Sequence, residues 1–204
     1  MKRKILFALS ILVLIAIAAF VFIEKTKMFN KHAIGDPIDS FNGVIVYYNG
    51  SVNNVSGRNL TADNYNLGQQ YQCVEFVKRY YYEYYHHKMP DSYGHAKDFF
   101  DDNLKDGELN EKRALTQYRN PSQTQPKVGD LVVFGGSISN RYGHVAIISD
   151  VREGEIEIIQ QNPGKFKKSR INIPISFQDG LWHINNGRIL GWLRKNDASH
   201  WQHW

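Results

Sequence analysis

The sequence predicts an α+β domain carried behind one hydrophobic N-terminal helix. Three features of its 204 residues point there: an apolar run at the N-terminus, a long stretch of helical apolar spacing over residues 69 to 88, and a series of short apolar strands from residue 128 onward. Helices first and antiparallel strands afterwards is the order of a fold whose helices segregate to one face of a sheet.

The N-terminal run covers Ile5 to Ile23, with Ser10 its only polar side chain, behind Lys2, Arg3 and Lys4. As a helix it measures about 28 Å, against roughly 30 Å for the hydrocarbon core of a bilayer. A signal peptide has a shorter apolar region, about 7–15 residues, before a small-residue cleavage site. Here Ala16, Ala18 and Ala19 are followed by further apolar residues, so residues 1–27 read as a retained signal anchor, a transmembrane helix; a cleaved signal peptide and a buried core helix are the alternatives. Basic residues stand on both flanks, with Lys25, Lys27 and Lys31 after the run, and their balance favours the N-terminus inside and the folded domain outside.

Residues 28–42 read as a tether, 43–195 as the domain and 196–204 as a C-terminal tail. GVIVYYNG (43–50) has the composition of a strand closed by an Asn-Gly turn, and the Asn/Ser/Gly-rich segment 51–68 that of an irregular loop. Residues 69–88 lack Gly and Pro and place Val74, Phe76, Val77, Tyr80, Tyr81, Tyr84 and Tyr85 at helical spacing, the mark of a helix with a wide buried face, stopped by Pro90. Residues 95–106 suggest a second, shorter helix. Strands are expected at 131–134, 144–151, 155–161, weakly at 170–173, and at 188–194.

The formal charge of +5 invites an acidic partner until the charges are located. Residues 1–27 hold five basic residues and one acidic, which leaves 20 against 19 and an almost neutral domain. No nucleic-acid partner is expected, and a monomer is. The single cysteine excludes an intramolecular disulfide and any cysteine-cluster metal site, and no other segment has metal-ligand spacing, so no cofactor is expected.

Cys73 falls at the first turn of the predicted helix, where free N–H groups and the positive end of the helix dipole favour thiolate and can receive an oxyanion. His144 opens a strand in RYGHVAIISD and is the candidate base, with Gly143 allowing close approach by substrate or by the cysteine helix. If the hairpin turns through a three-residue loop at Arg152-Glu153-Gly154, His144 lies opposite Asn162 and Ala146 opposite Gln160. Gln160 or Asn162 then accepts the imidazole N–H and holds the tautomer whose other nitrogen faces sulfur. A two-residue loop instead puts Gln160 on the other face. Taken singly, each residue has a structural reading: a small buried apolar cysteine, a satisfied edge histidine, a polar strand end.

Together they resemble a known family. YQCVEFVKRY (71–80), GDLVVF (129–134), GHVAIISDV (143–151), IEIIQQN (156–162) and ILGWL (189–193) are similar, in order and spacing, to the cysteine, histidine-dependent amidohydrolase/peptidase (CHAP) family, and especially to amidase domains of glutathionylspermidine synthetase/amidases. The resemblance implies a papain-like (NlpC/P60-like) fold, a nucleophile helix on a central antiparallel sheet, with Cys73 the nucleophile and His144 the general base. The family's Glu-Gln-Asn becomes Gln160-Gln161-Asn162, so a carboxamide stands where the acidic orienter is usual; a weaker base and a less stable thiolate–imidazolium pair are expected. Gln72 and the Cys73 N–H are the expected oxyanion donors. The segment 94–100 resembles one that borders the family's cleft. The reaction implied is amide hydrolysis, with a peptidoglycan peptide the favoured substrate of an exported domain. A peptide–polyamine conjugate such as glutathionylspermidine is the alternative, and a weak or inactive wall-binding module the third reading. The tyrosine cluster reads as core rather than a sugar-binding groove, Asp130 as a structural turn residue, and HWQHW (200–204) as a frayed terminus.

Overall fold

The computed structural model describes residues 2–25, 32–138, 140–164 and 167–196. The chain separates into two units, Met1–Ala33 and Ile34–Trp204. The first contains α1, Lys2–Lys25. Its segment Ile5–Phe22, with mean hydropathy 3.1, is long and apolar enough to cross a bilayer, and a signal sequence has the same properties.

The second unit is α+β. It opens on β1 (Pro37–Phe41), β2 (Val44–Tyr47), β3 (Gly57–Leu60) and β4 (Asn66–Gln70), continues with α2 (Cys73–Tyr85) and a four-residue 3-10 turn (Ala96–Phe99), and ends on β5 (Glu108–Asn110), β6 (Leu115–Arg119), β7 (Leu131–Phe134), β8 (His144–Arg152), β9 (Glu155–Ile159), β10 (Arg170–Gln178), β11 (Leu181–Ile184) and β12 (Ile189–Arg194). Eight strands form one antiparallel sheet in the order β11-β10-β9-β8-β7-β12-β6-β5, while β1–β2 and β3–β4 are separate hairpins.

Alternation along the central strands divides the core in two. Leu131, Val133, Val145, Ile147, Ile159 and Leu193 face α2, whose Phe76, Val77, Tyr80 and Tyr81 are fully buried against them. Val132, Phe134, Ala146, Ile148, Ile156, Ile158 and Trp192 fill the other face with Ile173, Ile175 and Ile184 of β10 and β11. The tyrosines at helical spacing are therefore core where they are buried.

Several expected elements differ. The tether ends early, because Asp39–Phe41 pair with Val44–Val46 across an Asn42-Gly43 turn, both residues at positive φ (49° and 82°). This is the Asn-Gly hairpin signal, seven residues before the Asn49-Gly50 pair that the composition singles out. The loop 51–68 holds β3 and most of β4, polar strands without apolar alternation. The helix ends at Tyr85, with His86 left-handed (φ 51°) and its N–H bonded to the Tyr81 carbonyl, five residues before the stop expected at Pro90. The second helix contracts to the 3-10 turn. Residues 26–31, with the basic flank Lys27 and Lys31, and the tail 197–204 lie outside the described residues.

Candidate active site

Cys73 is the first helical residue of α2. Gln72 before it is extended (φ −80°, ψ 162°) and its side chain does not cap the helix, so the first-turn N–H groups stay available. The backbone amides of Val145, Val74 and Cys73 near the sulfur favour its thiolate. Burial outweighs them and pushes the thiol up to about 11. The preference of a helix start for thiolate is thus opposed by burial: Cys73 is 8% exposed, and no carboxylate lines its cavity among the described residues.

His144 begins β8, opposite Phe134 of β7. The preceding Gly143 has φ 77°, and a Cβ there would lie 2.5 Å from the Phe134 carbonyl oxygen and 2.9 Å from Lys97 Cβ. The close approach that demands glycine is therefore made by the neighbouring strand and the 3-10 turn, not by α2. His144 Nε2 lies 2.9 Å from Gln160 Oε1, and Gln160 Nε2 donates to the Lys168 carbonyl at 3.1 Å. A carbonyl only accepts, so the Gln160 amide is oriented with its oxygen toward the imidazole. Nε2–H then donates, which leaves Nδ1 as the bare nitrogen able to take a proton. Burial pushes His144 down to about 4, against the Gln160 hydrogen bond and with help from Arg188 and Lys167. Both shifts run toward the neutral forms, thiol and imidazole.

Gln160 reaches His144 by an unforeseen route. Arg152 pairs with Glu155, so the turn is the two-residue one at Glu153-Gly154, which alone would send Gln160 to the wrong face. The register then shifts between Ile148 and Asp150, so that Ile148 pairs with Ile158 and Ile147 with Ile159. The extra residue, Ser149, is held by Oγ donating to Glu157 Oε1 at 2.8 Å. One bulge cancels the shorter turn and restores the facing of Gln160.

Asn162 and Gln72 depart from their expected places. Asn162 is left-handed (φ 55°) and donates Nδ2 to Gln72 Oε1 at 2.7 Å, away from His144. Gln72 Nε2 donates to Asn54 O at 2.7 Å and Val52 O at 3.1 Å. With both amide hydrogens engaged, the Gln72 side chain braces the 52–54 wall and has no donor for an oxyanion.

Two residues that hydropathy does not single out complete the arrangement. Glu75, 0% exposed, accepts from Arg79 Nε at 2.7 Å, Asn59 Nδ2 at 2.8 Å and Gln161 Nε2 at 2.7 Å. Gln161 Nε2 also donates to the Gln72 carbonyl at 3.0 Å, and its Oε1 accepts from Tyr47 N at 2.8 Å. The clamp ties the start of α2 to the strand end that carries Gln160. Its visible signal is a Glu–Arg pair four residues apart on an otherwise apolar helix face.

Cys73, His144, Gln72 and Asn162 line one cavity of about 550 Å³, together with Gly94, His95 and Ala96 from the segment expected to border the cleft. Asp130 is structural: its carboxylate receives Arg194 Nε at 2.7 Å and Lys127 N at 2.8 Å. Among the described residues no group of three His, Cys, Asp or Glu side chains could hold a metal ion.

A neutral resting pair has a kinetic signature. The rate of Cys73 alkylation by iodoacetamide should keep rising about tenfold per pH unit from pH 7 to about 10, because thiolate accumulates only toward about 11. A plateau below pH 8 would show a pre-formed thiolate–imidazolium pair instead.

Residues 63–162 match the CHAP domain family model, a span that includes Cys73, His144 and Gln160. Over 149 residues, 68% of the chain, the sequence is 30% identical to trypanothione synthetase of Crithidia fasciculata, and over 138 residues, 62% of the chain, 28% identical to glutathionylspermidine synthase of the same organism. The matches cover 23% and 19% of those proteins, so the chain spans less than a quarter of the length of either. Among solved structures, the wild type endolysin LysIME-EF1 aligns with TM-score 0.39 and 23% identity, over 71% of this chain and 61% of that one. Through residues 63–162, the chain belongs to the CHAP domain family.

Proposed function

We propose that the domain is a papain-like cysteine amidohydrolase, anchored by α1 and acting outside the membrane on peptide amide bonds of peptidoglycan. The observation that carries the reading is the placement of Cys73 and His144 on one cavity, with Gln160 holding the imidazole so that Nδ1 is the free base. Substrate binding brings a carbonyl to the sulfur. As Cys73 Sγ attacks the carbonyl carbon, its proton passes to His144 Nδ1. The oxyanion is received by the N–H groups of Cys73 and Val74 at the uncapped start of α2. His144 returns the proton to the leaving amine, the C–N bond breaks and a thioester remains. Water, deprotonated by His144, attacks the thioester, releasing the acid and restoring the thiol.

The test is a paired assay of the full-length chain in detergent with muropeptides and with glutathionylspermidine, Cys73→Ala serving as blank. Cleavage of the muropeptide by wild type alone supports the proposal. Cleavage of only the conjugate establishes the second reading, which the two synthetase relatives favour. Turnover of neither, with the fold intact, supports a wall-binding module.

Gln160→Glu should raise kcat/KM about tenfold, the equivalent of one pKa unit of imidazolium stabilisation. A carboxylate at that oxygen raises the His144 pKa and lowers that of Cys73, so the alkylation profile should move to lower pH as well. An unchanged profile would separate Gln160 from the chemistry.

A further inference from the structure

We propose that Arg58 anchors a substrate carboxylate, so that the cleft takes anionic amides and discriminates against polyamine conjugates; this rests on the hydrolase reading and names its substrate class. Arg58, on β3, lines the same cavity as Cys73 and His144, and the lining contains no Asp, Glu or Lys among the described residues. Its Nη1 donates to Asn66 Oδ1 at 3.0 Å, and its guanidinium lies 5.9 Å from the centroid of the Tyr93 ring, itself 67% exposed at the cavity. Asn66 is 5% exposed and is fixed in turn by Nδ2 donating to the Ser92 carbonyl at 2.9 Å. The guanidinium is thus positioned by a buried amide and an aromatic face, and among the described residues it pairs with no carboxylate.

The charges behind this wall nearly balance without Arg58. Lys78 is buried and donates to the Asn66 and Ser92 carbonyls. Arg113 is buried and donates to the Asp91 and Asp98 carbonyls, at 2.6 and 3.1 Å. Those two cations face two carboxylates, Asp91 and Asp98. The charge left over is that of Arg58, which lines the cleft. Among the described residues only Nη1 of its donors is engaged, and a guanidinium so placed matches a carboxylate in a bidentate fork, while the same charge repels the ammonium groups of a polyamine.

The experiment reads Cys73 alkylation in the full-length chain with bromoacetyl-alanine and its carboxamide, probes that differ only in charge. Wild type should prefer the acid about tenfold, a preference that shrinks with added salt. Arg58→Gln should bring the ratio to about one, and Arg58→Lys should keep part of it. A wild-type ratio near one, or an unchanged ratio in Arg58→Gln, would overturn the anchor. Because this readout needs no turnover, an acid preference lost in Arg58→Gln while no amide is hydrolysed would sink the hydrolase reading and leave the anchor standing.

Discussion

Alanine at position 73 should lower amide turnover by at least about 10⁴-fold while the domain stays folded. The sulfur is the atom that forms the thioester, and without it the site retains only carbonyl binding at the helix start, where comparable hydrolases keep a small residue of catalysis. Cys73→Ser should fail almost as completely. A serine hydroxyl is a much weaker acid than the thiol, and the base that must deprotonate it is a histidine pushed down to about 4 and oriented by a neutral amide. His144→Ala should cost a similar factor, and the double variant little more than either single one, because the two act as a unit. Removing one buried sulfur costs on the order of 1 kcal/mol, so circular dichroism and a thermal melt should be nearly those of wild type. Turnover by Cys73→Ala above about 1% of wild type would place the nucleophile elsewhere.

The parts of the molecule that could be read from sequence are those whose residues announce their surroundings. Strands β7, β8, β9 and β12 are apolar because both faces of the sheet are covered, and α2 is apolar because it packs on one of those faces. By contrast β3 and β4 are polar hairpin strands whose stability comes from backbone pairing and from side chains such as Arg58 and Asn66, a pattern indistinguishable from a loop. In β10, Ile171, Ile173, Ile175 and Phe177 alternate as a strand should, but Pro174 interrupts the run and makes it look short.

At the site, helix start and strand start put Cys73 and His144 within reach of a common cavity, and the structure lines one cavity with both; the contact of Gln160 with His144 was expected only through a three-residue turn that the chain does not make. The register is the sum of two local events, a short turn and the Ser149 bulge, which hydropathy does not encode. The commitments of Gln72, Asn162 and Gln161 were not legible at all. A carboxamide donates and accepts equally well, and only the surrounding carbonyls decide which role it fills.

Glu75→Ala should destabilise the domain by about 3–5 kcal/mol, the cost of leaving a buried charge without its partner. Arg79 is almost fully buried, stacked 5.0 Å from the Tyr47 ring centroid and donating Nη2 to the Ile45 carbonyl at 2.7 Å, so it has no route to water once the carboxylate is gone. Asn59 and Gln161 each lose an acceptor in the same step, and Gln161 is the link to the Gln72 carbonyl at the start of α2. For a domain whose total stability is about 5–15 kcal/mol, that is a large fraction, readable as a shift of the urea midpoint. Replacing both partners, as Glu75→Met with Arg79→Met, should cost less than Glu75→Met alone, since no charge is then stranded. The folded remainder of Glu75→Ala should turn over about a hundredfold more slowly at low temperature, because a displacement of about 1 Å between nucleophile and base costs that much. A loss of less than about 1 kcal/mol would mean that water reaches Arg79 after all, and unchanged kcat in the folded remainder that the clamp holds the fold without positioning Cys73.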